Sequence, residues 1–128
     1  MDKRIVELLK KSRFSDRAIE YYLKKVNVGQ IEEPDLYSVY TGPCGDTMEI
    51  SLKVTSGIIK DAKFQAVGCA GAFSSGSALC EMIKGKTLDE AKNLSVEDII
   101  EHLGGLPKAK IHCACLAKMT LKKVIDSG

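Results

Sequence analysis

The hydrophobic positions change period twice along the chain. Between Met1 and Phe14, Ile5, Leu8 and Leu9 share one side of a helical repeat among lysines, which predicts a short helix. Ser15 is placed to cap a second helix in which Ile19, Tyr22, Leu23 and Val26 follow helical spacing. Asn27-Val28-Gly29 suits its C-terminal end, and a polar stretch from Gln30 to Asp35 follows. The period then becomes two. Leu36 to Tyr40 is rich in Tyr and Val. Over Thr47 to Thr55, Met48, Ile50, Leu52 and Val54 alternate with Glu49, Ser51, Lys53 and Thr55. Ser56-Gly57 is a tight-turn pair, and Ile58 to Val67 returns with Ala62, Phe64 and Ala66 set against Lys63 and Gln65. These segments predict an antiparallel sheet with one apolar and one wet face.

From Gly68 the helical period resumes through Cys69, Ala72, Phe73, Gly76, Leu79, Cys80 and Ile83, until Gly85 stops it. The first half of this helix, Ala70 to Ala78, is almost entirely Ala, Gly and Ser. Each Gly costs about 1 kcal/mol against Ala in a helix, so something must approach this backbone closely. Tight packing on the sheet and access to a site are both consistent with it. Thr87 with Glu90, and Ser95 with Asp98, have the spacing of capping boxes. Gly104-Gly105 breaks the chain. Pro107 then opens a last helix carrying Cys113, Leu116, Ala117, Leu121, Val124 and Ile125 on one side. Helices around a short antiparallel sheet define an α+β fold.

Composition narrows the function classes. The chain has 128 residues, 45% of them hydrophobic and 28% charged, which is a globular composition of single-domain size. A net charge of +2 is too balanced for a protein held by phosphate charge, and with no Trp there is little to stack bases, so nucleic acid is not an expected partner. The chain has no apolar run long enough to span a membrane. Its first residues lack a secretory signal, so a cytoplasmic location is expected. Five cysteines in a reducing compartment are expected as ligands, nucleophiles or core residues rather than disulfides.

Geometry sorts these thiols. Cys69 and Cys80, on one helix, would lie about 16 Å apart along its axis and cannot share an ion; Cys80 is expected in the core. Cys113 and Cys115 would be rotated by about 200° on a helix, and Cys115 is expected to be structural. His102, on a short capped helix, is expected at the surface. Cys44 (in Cys44-Gly45-Asp46), Cys69 (in Gly68-Cys69) and Cys113 (in His112-Cys113) each fall at an element boundary, where a scaffold commonly positions site residues. Three thiolates and an imidazole match zinc or an iron–sulfur cluster by ligand type. Without a Cys-X-X-Cys knuckle the spacing does not decide the matter. Cys44, Asp46 and His112 as nucleophile, orienter and base, a structural zinc domain and a purely structural module all stay open on the residues alone.

Three segments carry a resemblance. Pro43-Cys44-Gly45-Asp46-Thr47-Met48, Gly68-Cys69-Ala70-Gly71-Ala72-Phe73-Ser74-Ser75-Gly76-Ser77, and Leu106-Pro107-Lys108-Ala109-Lys110-Ile111-His112-Cys113 with Leu116-Ala117 resemble the U-type iron–sulfur scaffold family, which includes IscU and the N-terminal domain of NifU. Asn27-Val28-Gly29 and the stretch from Lys84 to Ala91 resemble it too, and the similarity runs from about Tyr22 to Val124. The resemblance implies a three-stranded antiparallel sheet with helices on one face. It implies one scaffold domain over residues 1–128, with 1–14 as an extra N-terminal helix. The implied role is not that of an enzyme: a [2Fe–2S] cluster is assembled from iron and desulfurase-derived sulfur, then passed to apo-proteins. Cys44, Cys69 and Cys113 would be the thiolate ligands, Asp46 or His112 would complete the set, and Cys113 would accept sulfur from a cysteine desulfurase. Zinc could take the same place, and a zinc-binding sulfur acceptor that builds no cluster is the competing reading.

The chain also departs from the family pattern. Leu106-Pro107-Lys108-Ala109-Lys110 stands where Leu-Pro-Pro-Val-Lys, the segment read by a DnaK-type chaperone, is usual; this puts chaperone-assisted release in question. Ala70-Gly71 replaces a common Gly-Ser, and Cys80 replaces Thr or Ser. No second cluster-binding domain follows, so a stand-alone scaffold is expected, with self-association left open.

Overall fold

A computed structural model describes residues 3–43 and 45–127 of the chain. Cys44 is among the residues outside it. Strands β1 (Leu36–Thr41), β2 (Thr47–Thr55) and β3 (Ile58–Val67) form one antiparallel sheet in the order β1-β2-β3. The helices are α1 (Lys3–Lys11), α2 (Asp16–Lys24), α3 (Ala70–Ile83), α4 (Leu88–Lys92), α5 (Val96–His102) and α6 (Ile111–Asp126). The expected α+β class and three-stranded sheet are both present.

Alternation sets the layers. Met48, Ile50 and Leu52 of β2 and Ala62 and Phe64 of β3 are fully buried, and α3 and α6 pack over that face. The turn residues Ser56 and Gly57 both have positive φ, 53° and 79°. This is the backbone that a tight hairpin turn demands. The register slips once, between Lys53 and Val54. The opposite face is polar but not uniformly wet. Ser51 is only 3% exposed, because Ile31 N–H donates to its hydroxyl at 3.1 Å and the 30–35 stretch lies over it. Lys53 Nζ donates to the Glu33 carbonyl, and Val54 N–H to the Asp35 carboxylate.

Helix ends follow their caps, with three differences from the sequence reading. Ser15 caps α2 through the Ala18 N–H, and both capping boxes, Thr87/Glu90 and Ser95/Asp98, are formed. α2 stops at Lys24, however, because Lys25 adopts left-handed φ and its N–H closes the last turn on Tyr21 and Tyr22. Val26 therefore lies beyond the helix. Asn27-Val28-Gly29 is instead stitched to the edge of β3: Phe64 N–H donates to the Asn27 carbonyl and Gly29 N–H to the Phe64 carbonyl. The Asn27 side chain ties this segment to α3 through the Ser77 carbonyl and Glu81. Second, Pro107 leads into a separate 3-10 turn, Lys108–Lys110, and α6 begins only at Ile111. Third, α1 buries none of its residues. Val6 and Leu9 lean on the core, while Ile5 and Leu8 stay 39% and 62% exposed. The packed side of α1 is thus Val6 and Leu9 rather than the stripe Ile5, Leu8 and Leu9 read from the sequence, and its main neighbour is α2.

His102 departs from its expected surface role. Its Nε2 lies 2.9 Å from Tyr21 Oη, tying α5 to α2, and Arg17 donates to its carbonyl.

α3 is buried nearly all round: Gly71, Ala72, Ser74–Leu79, Cys80 and Ile83 are inside. The close approach that its composition demanded is with Phe64. A Cβ built on Gly76 would stand 2.6 Å from that ring. Ser74 donates to the Ala18 carbonyl at 2.7 Å, whereas the buried hydroxyls of Ser75 and Ser77 make no hydrogen bond to any described residue.

Two predictions follow from this packing. Gly76→Ala should lower stability by about 1–3 kcal/mol through overpacking, while Ser75→Ala, removing an unpaired buried hydroxyl, should leave the urea midpoint unchanged or raise it. For His102, burial, with Arg17 adding to it, holds the imidazole below its usual range. The unfolded chain then binds the extra proton first, so stability should fall as pH drops through about 6.5. Urea midpoints across that range should show the fall, and His102→Gln should flatten it. The capping carboxylates Glu90 and Asp98, held low by backbone N–H groups, titrate below this window.

Candidate metal centre

Two helix starts and one strand connection meet at a single place. Cys69 is the residue before α3 and caps it in extended conformation, φ −89° and ψ 179°. His112 and Cys113 lie in the first turn of α6. Asp46 ends the connection from β1 to β2, which is closed by Gly42 N–H on the Asp46 carbonyl at 2.9 Å. The Asp46 carboxylate and the sulfurs of Cys69 and Cys113 all lie within 4.8 Å of one another. The two sulfurs are 3.6 Å apart, and His112 Nε2 is 3.6 Å from Cys113 Sγ.

Glycine makes this convergence possible. A Cβ on Gly68 would stand 3.0 Å from the Asp46 carboxylate, and one on Gly71 would stand 3.0 Å from Cys113 Sγ and 3.2 Å from Lys110 Cβ. The small residues after Cys69 thus serve both of the purposes read from the sequence. Gly76 admits the sheet, and Gly71 admits a sulfur.

The two thiols differ. Cys113 is fully buried. Its thiol is pushed up to about 12 by that burial, by its contact with Cys69 and by the Asp46 charge. Cys69 is half-buried. Burial raises its thiol too, but the Ala72 N–H, the Cys113 thiol, the Gly71 N–H and the Lys110 charge outweigh this and leave it below the usual range. Both sulfurs sit at helix N-termini, where partial positive charge favours anions. Lys110, which sequence reading placed only in the 106–110 motif, is a basic neighbour of both. Its one signal was its position three residues before Cys113.

Of the five sequence-derived site residues, the structure brings together Asp46, Cys69, Cys113 and, through Cys113, His112; Cys44 lies outside the described residues. Cys80 is fully buried, as expected. Cys113 and Cys115 face opposite ways, as a helix requires, but Cys115 is exposed and not a packing residue. It lines a cleft of about 250 Å³ with Tyr40, Pro43, His112, Leu116 and Met119, which opens beside Asp46.

Known proteins resemble this chain over most of its length. The family model described as the NifU-like N terminal domain matches residues 13–127, so α1 lies ahead of the match. The chain is 42% identical over 113 residues to "Iron-sulfur cluster assembly scaffold protein IscU 1" of Archaeoglobus fulgidus, covering 88% of this chain and 74% of the relative. It is 40% identical over 117 residues to the protein named iron-sulfur cluster assembly scaffold IscU in Azotobacter vinelandii, covering 88% and 91%. Against the nitrogen fixation protein NifU of a Nostoc species it is 43% identical but spans only 40% of that longer chain. The N-terminal NifU-like structure from Brucella abortus superposes with a TM-score of 0.71 at 20% identity, over 87% of this chain and 90% of that one, which is a likeness of fold.

The asymmetry of the thiols has a direct test. In the metal-free chain, limiting iodoacetamide at pH 8 should label Cys69 and exposed Cys115 well before Cys113 and Cys80, as read by peptide mass spectrometry. Equal labelling of Cys69 and Cys113 would contradict the geometry.

Proposed function

Because the chain belongs to the NifU-like N-terminal domain family, we propose that it is a scaffold on which an iron–sulfur cluster is assembled and from which the cluster is passed to apo-proteins. The observation that carries this reading is the grouping of Asp46, Cys69 and Cys113 within 4.8 Å, with His112 against Cys113. The relatives' names point to a scaffold rather than to an enzyme. The cluster is cargo. Cys44, Cys69 and Cys113 are proposed as its thiolate ligands, with Asp46 or His112 completing the set and [2Fe–2S] as the cluster type. Sulfur would come from a cysteine desulfurase, with Cys113 as the acceptor thiol. The ligand types also suit zinc, which would compete for the same place. Residues 1–14 are read as an addition to the scaffold domain. A cytoplasmic location fits the free thiols of the four described cysteines. Among the described residues no helix is long and apolar enough to cross a membrane.

The chemistry follows from ligand softness. Thiolates hold iron tightly, whereas a carboxylate or imidazole exchanges more readily. A mixed set is therefore suited to holding a cluster and then losing it. Helix N-termini and Lys110 offset the negative charge of thiolates and sulfide, and the exposed His112 keeps one side within reach of donors and recipients.

Anaerobic reconstitution with ferrous iron and inorganic sulfide should give a visible cluster spectrum. Cys44→Ser, Cys69→Ser and Cys113→Ser should each abolish most of it, whereas Cys80→Ser and Cys115→Ser should not. Loss of the cluster in Cys115→Ser with retention in Cys113→Ser would refute the site. Asp46→Ala should keep the denaturant midpoint and hold its cluster longer, transferring it more slowly to an acceptor protein. A chain that binds zinc and accepts sulfane sulfur but gives no iron-dependent chromophore would instead be the competing zinc-binding sulfur acceptor.

A further inference from the structure

We propose that Cys69 and Cys113 form a redox couple as well as a ligand pair: a persulfide carried by one thiol is resolved by the other, releasing hydrosulfide and leaving a Cys69–Cys113 disulfide. The inference rests on the reading that this site receives sulfane sulfur. It deepens that reading, because sulfane sulfur is S(0) while a cluster contains S(−2), so two electrons must enter between delivery and assembly.

The geometry points to this pair. Their sulfurs are already 3.6 Å apart, and a movement of about 1.6 Å would reach disulfide bonding distance. Neither thiol hangs from a mobile loop. Cys69 caps α3, Cys113 sits in the first turn of α6, and these two helices pack directly on each other. The missing side chain of Gly71 lets Cys113 Sγ lie against the start of α3. Among the described residues no other thiol pairs so closely. Cys80 is buried eleven residues along α3, about 16 Å away by helical rise, and Cys115 is turned away from Cys113 on α6, into the cleft beside Asp46 and His112.

The step balances without a metal. With the persulfide on Cys113, the Cys69 thiolate attacks the inner sulfur of Cys113–S–SH. The Cys69–Cys113 bond forms as the bond to the outer sulfur breaks. The outer sulfur leaves with that electron pair and its own proton as HS−. Sulfane sulfur is thereby reduced by two electrons, and the two cysteine sulfurs are oxidised to the disulfide. With the persulfide on Cys69 the roles exchange. A dithiol reductant must then reopen the bridge, becoming a disulfide itself, before the pair can ligate iron. The helix N-termini and Lys110 provide positive surroundings for the departing anion.

The test uses the full chain, metal-free under chelator and without oxygen, mixed with equimolar glutathione persulfide. Free sulfide is measured along with intact mass. The wild type should release close to one sulfide per chain, lose two hydrogens, and yield a peptide linking Cys69 to Cys113. Cys69→Ser and Cys113→Ser should each retain the mass of an added sulfur and release sulfide at least about tenfold more slowly. Should either variant misfold by circular dichroism, the wild-type linkage map decides alone. A persistent wild-type persulfide, a glutathione mixed disulfide in place of the link, or a bridge between any other pair would overturn the proposal. Reconstitution from iron and inorganic sulfide bypasses the step. A cluster formed there, with no link formed from persulfide, sinks the couple and leaves the scaffold; no cluster there sinks the scaffold reading itself.

Discussion

The seating of α3 without side chains at two positions is the constraint from which the rest of the molecule follows. At Gly76 the helix lies directly on the Phe64 ring, and at Gly71 it lies on the sulfur of Cys113. The first contact fixes α3 on the sheet, and the second fixes it against α6. Ser74, donating to the Ala18 carbonyl, fixes it against α2. A helix so poor in intrinsic propensity is stable only because it is enclosed on several sides. That enclosure brings its N-terminus, and so Cys69, to within contact of the start of α6. Core packing and site geometry are thus set by the same helix, and a change at Gly71 would disturb both.

Much of this was legible from residue pattern. Strict alternation in β2 and β3 placed the buried faces, because a period of two leaves no freedom about which side turns inward. The two capping boxes were legible because their hydrogen bonds are local. What could not be read was set by neighbours far along the chain. Asn27-Val28-Gly29 looks like a helix end, yet its work is to pair with Phe64 and to anchor on α3, partners that lie about 35 to 50 residues away. The apolar stripe of α1 does not by itself say how much surface exists to cover it. His102 gave no sign of Tyr21, and Cys115 looked structural because a cysteine's burial depends on which face of α6 meets the sheet.

The site shows the same division. Residue type and boundary position singled out Asp46, Cys69, His112 and Cys113, and the fold places them together. The difference between the two thiols was not legible. It arises because Cys113 is enclosed between α3 and α6 while Cys69, one residue ahead of its helix, keeps part of its surface in solvent. Lys110 likewise becomes a neighbour of both sulfurs only because the 3-10 turn before α6 directs it back over Gly71.

Burial across the site is therefore graded, and on the proposed reading that grading matters more than the ligand count. The two thiols on the inner side are carried by the starts of α3 and α6, which pack on each other. Asp46 belongs to a strand connection and touches the rest of the site through the bare backbone of Gly68, while His112 is exposed. On that reading the soft ligands stand on packed helix starts, and the harder ones on a strand connection and at an exposed helix position. A cluster bound there would exchange most easily at the Asp46 and His112 side, where the cleft bounded by Tyr40, Pro43, Leu116 and Met119 opens. Assembly and release need not use separate machinery: a ligand set that is soft on one side and harder on the other can hold cargo through the sulfurs while a recipient's own thiolates replace the oxygen or nitrogen first.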